Sequence, residues 1–98
     1  MNMEEWTALN ERVQSAKDTD RRRGDGQATA DLITALVEEM NLKTLDGVAI
    51  RPNMRVVDYN LKWTTITGIQ SVDLHTGIWF ATTTGMFDAS RLWARMPA

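Results

Sequence analysis

Cysteine is absent from the 98 residues, histidine occurs once and proline twice. With no Cys there is no disulfide framework, no thiolate nucleophile and no Cys-based zinc site, which fits a reducing compartment. The lone His75 has only carboxylates with which to complete an acid–base or metal site, and it falls in the turn-like run Asp73-Leu74-His75-Thr76-Gly77. It reads as a surface loop residue. Long apolar runs are missing too: the longest, at 47–50 and 77–81, fall far below the roughly 20 residues that cross a bilayer. The opening Met1-Asn2-Met3-Glu4-Glu5 is acidic and has neither the basic nor the apolar region of a signal peptide. These absences predict a cytoplasmic protein with no membrane partner. Gly68, Gly77 and Gly85 are too scattered for a phosphate loop, and no Walker or GxGxxG pattern occurs. The expectation is a non-enzymatic protein with no catalytic residue, no cofactor and no metal ion.

Neither sign of charge dominates, and the net value is −2. Residues 1–47 carry six Lys and Arg against ten Asp and Glu, giving −4, whereas residues 48–98 carry five against three, giving +2. This asymmetry allows an anionic partner on the second half but falls short of the strongly basic footprint of a dedicated nucleic-acid binder. Arg21-Arg22-Arg23 is flanked by Asp18, Asp20 and Asp25, which cancel most of its field. It reads as a solvated helix end, where cations complement the negative pole of the helix.

Hydrophobic residues make up 43% of the chain and include four Trp, enough for one core; two cores of about fifty residues each would both be marginal. The chain therefore reads as a single domain, 1–98, with a helical hairpin at 1–42 and a β-barrel at 48–96. Asn2 and Glu5 have the spacing of a capping box, with Met1 and Trp6 placed as a hydrophobic staple. Trp6, Leu9, Val13 and Ala16 share one face of the helix that follows, which should end near Arg22, before the turn Gly24-Asp25-Gly26. A second helix is expected from about Ala28 to Met40, with Thr29 or Asp25 capping its start and Asn41 taking the left-handed conformation at its end. Its broad stripe of Leu32, Ile33, Leu36, Val37 and Met40 suits packing on the second half, in preference to a dimer interface.

After Gly47 the pattern turns to β. The runs 54–58 (MRVVD), 63–69 (WTTITGI), 77–83 (GIWFATT) and 91–95 (RLWAR) are rich in β-branched and aromatic residues and separated by turn signals, with 48–51 as a short additional strand. Short strands at such spacing predict a closed or nearly closed small antiparallel barrel, because an open sheet of this size would leave its edges unpaired. The fold class is α+β, helices first and strands second.

The succession Arg51-Pro52-Asn53-Met54-Arg55-Val56, then 63–69, then Ile78-Trp79-Phe80, then Phe87-Asp88-Ala89-Ser90-Arg91-Leu92 resembles an SH3-like small barrel of the KOW type. In that pattern a "pGm.V" element leads into a "G.V..I" strand, a third strand, and a short helical turn of "..s.L" form before the last strand. Asn53 stands where the pattern usually has glycine, and Trp63 where it often does. The chain is also similar to small uncharacterised proteins of actinobacteria and their phages. The resemblance implies a binding module for nucleic acid, peptide or protein, without choosing among them.

Asp58, Asp73 and Asp88 fall at strand ends or turns and read as turn formers, and Thr64, Thr65, Thr67 and 82–84 as strand residues with no base beside them. The aromatics carry more information. Trp79 and Phe80 must face opposite sides of a strand, so one is core and the other is exposed or covered by the helices. An outward Trp buried under the hairpin is the favoured reading for any one residue. Should Tyr59, Trp63, Trp79 or Trp93 lie on an open face, they are the candidate contacts for a protein partner, and the resemblance to phage proteins implies a host protein as that partner. The alternative is nucleic-acid binding by the mildly basic barrel through Arg51, Arg55, Lys62, Arg91 and Arg95. A third reading is a homo-oligomeric structural protein associating through its helices.

Overall fold

Asn2 caps the first helix in the computed structural model, which describes all of residues 1–98. Its side chain accepts from Glu5 N at 2.8 Å while the Glu5 carboxylate accepts from Asn2 N at 3.4 Å, completing the capping box. Helix α1 (Met3–Arg23) ends at Gly24, whose φ of 73° is the left-handed conformation that glycine adopts freely. Helix α2 (Gln27–Met40) ends at left-handed Asn41, as expected, but begins differently. Neither Thr29 nor Asp25 is its N-cap; Gly26 holds that place and offers no side chain. Instead Asp20, from the end of α1, accepts from Ala28 N at 2.8 Å and Thr29 N at 3.1 Å, and Asp25 takes Gln27 N at 3.2 Å. One helix thus caps the next, which draws the hairpin tight. Arg12 adds a bidentate ion pair to Glu39 across it, both contacts at 2.9 Å.

Four strands follow, β1 (Arg55–Val57), β2 (Trp63–Asp73), β3 (Gly77–Thr82) and β4 (Gly85–Asp88), then a 3-10 turn, Ala89–Arg91. They form one antiparallel sheet in the order β1-β2-β3-β4. The sheet curls into a half-barrel, so the fold is α+β with a helical hairpin ahead of a barrel-like sheet. Past β4 the chain returns to β1, where Val57 and Trp93 exchange backbone hydrogen bonds of 2.7 and 2.9 Å. That single bridge is all that forms of the strand expected at 91–95, and the last true strand is Gly85–Asp88, a stretch that falls between the expected strands. The expected short strand at 48–51 is likewise only a bridge, Lys43 to Ala49. Strand β2 runs four residues beyond Ile69, through register shifts between Ile66 and Gly68 and between Ile69 and Ser71 that break the regular alternation. The loop before β1 is the turn Arg51-Pro52-Asn53-Met54, in which Met54 N donates to Arg51 O and Asn53 has φ 62°; Asn, like Gly, tolerates that value.

Helices and sheet bury a common core. Leu9, Val13, Ile33 and Leu36 from the hairpin meet Val56, Ile66, Ile69, Val72, Ile78 and Phe80 from the strands, with Ile50 and Leu92 from the loops. The apolar helical stripe therefore packs on the sheet. Trp6 joins this packing and anchors α1 by donating from Nε1 to Val72 O at 2.9 Å. No helix is long and apolar enough to cross a membrane.

Because Leu36 is buried where the helices meet the sheet, Leu36→Ala is expected to cost about 3 kcal/mol. Loss of helical circular dichroism and of Trp fluorescence should remain one coincident transition. Separate transitions would contradict a shared core.

Candidate functional site: the outer face of the sheet

The connection between β1 and β2 is built around one carboxylate. Asp58 is 1% exposed, and its Oδ1 accepts from Asn60 N at 2.8 Å and Lys62 N at 3.0 Å. Its Oδ2 accepts from Thr84 Oγ1 at 2.7 Å, tying this loop to the β3–β4 turn. Burial pushes the Asp58 carboxyl up, but the bonds from Lys62 N, Thr84 and Asn60 N outweigh it and hold the group below its ordinary value. Beside it Thr64 and Thr83 share a hydroxyl contact of 3.0 Å, and Thr83 Oγ1 also accepts from Thr65 N. Within the loop Leu61 sits at φ 64°, a conformation a bulky residue holds only where its surroundings over-determine it. The backbone bonds Asp58 N to Lys62 O and Leu61 N to Asp58 O do so, at 2.8 and 3.0 Å.

The strands alternate about this anchor. Val56, Thr64, Ile66, Ile78 and Phe80 point inward, so Arg55, Val57, Trp63, Thr65 and Trp79 lie on the face away from the helices. Val57 is opposite Trp63 in the β1–β2 register and opposite Trp93 in the isolated bridge. Cross-strand partners share a face, so Trp93, Val57 and Trp63 form a row across the sheet. Val57 is wholly buried (0% exposed) although it points outward, whereas Trp63 is 45% exposed. Tyr59, 58% exposed, extends the row by stacking on Trp93, with ring centroids 5.9 Å apart and planes within 5°. Arg55 extends it at the other end, its guanidinium 5.3 Å from the centre of the Trp63 ring.

Trp79 occupies a second station. Its indole donates to Thr76 Oγ1 at 2.7 Å, and the Arg91 guanidinium lies 5.4 Å over its ring. The structure thus brings Tyr59, Trp63 and Trp93 together, with Trp79 on the same face but apart from them. It also corrects the expectation that an outward Trp is covered by the hairpin: the tryptophan between helix and sheet is Trp6, from α1 itself, and Trp63 stands open. Of the five barrel cations, Arg55 and Arg91 lie over tryptophans, Lys62 flanks Trp63 in the chain, Arg95 follows the row, and Arg51 is on the turn before β1. None of the five is ion-paired; both ion pairs of the molecule, Arg12 with Glu39 and Arg21 with Asp18, lie in the helical half.

The carboxylates of the barrel half are turned to internal use. Asp73 accepts from His75 N and Thr76 N at the tip of the β2–β3 hairpin, and Asp88 accepts from Ser90 Oγ. Asp46 straps the end of the row, taking Ala94 N at 2.8 Å, Arg95 N at 3.1 Å and Thr44 Oγ1 at 2.6 Å. A separate cavity of about 280 Å³ opens between the start of α2 and the Pro52-Asn53 turn, where the helix amides are already occupied by Asp20 and Asp25. Sequence reasoning did not single out Val57 or Leu61 in this site. The one local signal was the Asp58-Tyr59-Asn60 spacing, typical of a carboxylate bonding the backbone two residues on.

Replacing Asp58 by Ala removes all three hydrogen bonds that this buried carboxylate accepts, and the cost expected is about 3 kcal/mol, a fall of roughly 10–20 °C in melting midpoint. Red-shifted Trp emission in the folded variant would report the loosened row; an unchanged midpoint would contradict this role. Asp20, Asp46 and Asp73 are also held below their ordinary values, by hydrogen bonds led by Thr29, Thr44 and Thr76 respectively. Carboxylates with lowered folded values contribute stability that is complete above the unfolded value, near 3.9, and is lost as pH falls through the folded one. Melting midpoints should stay nearly level down to about pH 5 and drop steeply below it. A midpoint unchanged at about pH 2 would contradict that linkage.

No known protein family, curated protein or solved structure matches this chain.

Proposed function

We propose that this protein is a non-enzymatic binding module that docks a protein partner on the outer face of its sheet, through Tyr59, Trp63 and Trp93, with Trp79 as a second contact. The observation that carries the reading is the cross-strand row: it buries Val57 yet leaves Tyr59 and Trp63 about half exposed. Aromatic side chains held rigidly at a surface supply contact area at little conformational cost and are frequent anchors of protein interfaces. We further assign the half-barrel to the SH3-like, KOW-type class. The left-handed turn at Asn53, the strand order and the 3-10 turn leading to the Trp93 bridge support this. The absence of Cys supports a cytoplasmic site of action. If the resemblance to small phage proteins holds, a host protein is the target.

A second reading, nucleic-acid binding, is favoured by one observation: none of the five barrel cations is in an ion pair, and two lie over tryptophans. Capture from a lysate of the source organism, followed by rebinding of each retained species in purified form, separates the two. A directly binding protein is expected, held at least about tenfold more weakly by a Tyr59→Ala, Trp63→Ala double variant. Equal retention by variant and wild type would refute docking at this face. A retained species removed by nuclease would transfer the face to the second reading.

A further inference from the structure

The charge on the outer face says what kind of segment fits it. Beside the exposed Trp63 the charged groups are Arg55, over its ring, and Lys62, the residue before it, whose charge also helps hold the Asp58 carboxyl below its ordinary value; neither cation is hydrogen-bonded or ion-paired through its side chain, and Tyr59 and Leu61 are exposed in the same loop. The nearest carboxylate in sequence, Asp58, is buried and spent on Asn60, Lys62 and Thr84. At the other station Asp88 stands opposite Trp79 in the register and offsets Arg91, so the positive excess lies at the Trp63 end. A guanidinium laid flat on an indole keeps its in-plane N–H edges free, and those edges match a carboxylate in bidentate geometry.

From this, and resting on the docking reading above, we infer that the partner presents an acidic segment carrying aromatic or apolar side chains. Its carboxylates meet Arg55 and Lys62, and its apolar groups lie against Tyr59, Leu61 and Trp63. The proportion of the surface decides against a polynucleotide: two free cations among three exposed apolar side chains suit a segment of sparse negative charge. A regularly charged phosphate backbone draws its affinity from many contacts, and here it would approach a molecule of net charge −2 whose helical half carries −4.

The test is fluorescence anisotropy at about 50 and about 200 mM salt with three labelled probes: a glutamate–tyrosine copolymer, polyglutamate, and a single-stranded oligothymidine. The copolymer is expected to bind best, polyglutamate more weakly, and the oligothymidine least. An Arg55→Ala, Lys62→Ala variant, altered only at exposed side chains, should lose at least about tenfold for the copolymer. Trp63→Ala should lose a comparable factor. No binding of the copolymer, or binding that the cation variant leaves intact, overturns the inference, and tighter binding of the oligothymidine overturns it in favour of nucleic acid. If a captured partner depends on Tyr59 and Trp63 yet is indifferent to Arg55 and Lys62, the docking reading survives and the acidic segment does not.

Discussion

A carboxylate removed from water must find its hydrogen bonds inside the fold, and Asp58 finds three. Two come from amides of its own loop, which bends the chain back within five residues and turns Tyr59 and Leu61 outward. The third comes from Thr84, 26 residues further along the chain, so the same group pulls the β3–β4 turn toward the β1–β2 loop and holds the sheet in its curl. Thr64 and Thr83 continue the polar seam next to it. With that end fixed, Val57 is placed between Trp63 and Trp93, and the aromatic row follows from strand register alone.

The long strand β2 serves two surfaces at once. Its inward residues Ile66, Ile69 and Val72 share a core with the helical hairpin, while Trp63 and Thr65 belong to the opposite face. Packing on one side leaves the other outside the shared core. Charge follows the same division: both ion pairs lie within the helices, and the five cations of the basic half form none, two of them lying over tryptophan rings. A flat count of net charge conceals this arrangement, because the barrel carboxylates are committed to turns. Aspartates do comparable work at each junction, Asp20 at the helical turn, Asp46 at the returning chain and Asp73 at the hairpin tip.

Local signals in the sequence were read correctly where a few neighbouring residues decide the structure. The Asn2–Glu5 capping box, the Leu9–Val13 stripe, the left-handed Asn41 and the turns at Asp58 and Asp73 are of this kind. Features set by distant residues were not legible. Asp20 caps a helix eight residues on; β2 extends past Ile69 only because bulges let a broken alternation keep pairing with β3; and β4 forms at Gly85 because β3 offers an edge, not because its residues favour extension. The same limit governed the site. Alternation places Trp79 and Phe80 on opposite faces, yet only the position of the hairpin decides that Phe80 is core, and only the Trp93 bridge shows why an outward Val57 is buried.

The most direct measurement is a carboxyl-carbon NMR titration of Asp58 with the Tyr59 ring and Trp63 indole signals followed in the same samples. Asp58 should protonate below the ordinary value near 3.9, with the aromatic signals shifting in the same step as the loop loses its anchor. An Asp58 that protonates at the ordinary value in the folded protein, with both aromatic signals unmoved, would contradict the claim that this carboxylate holds the face in place.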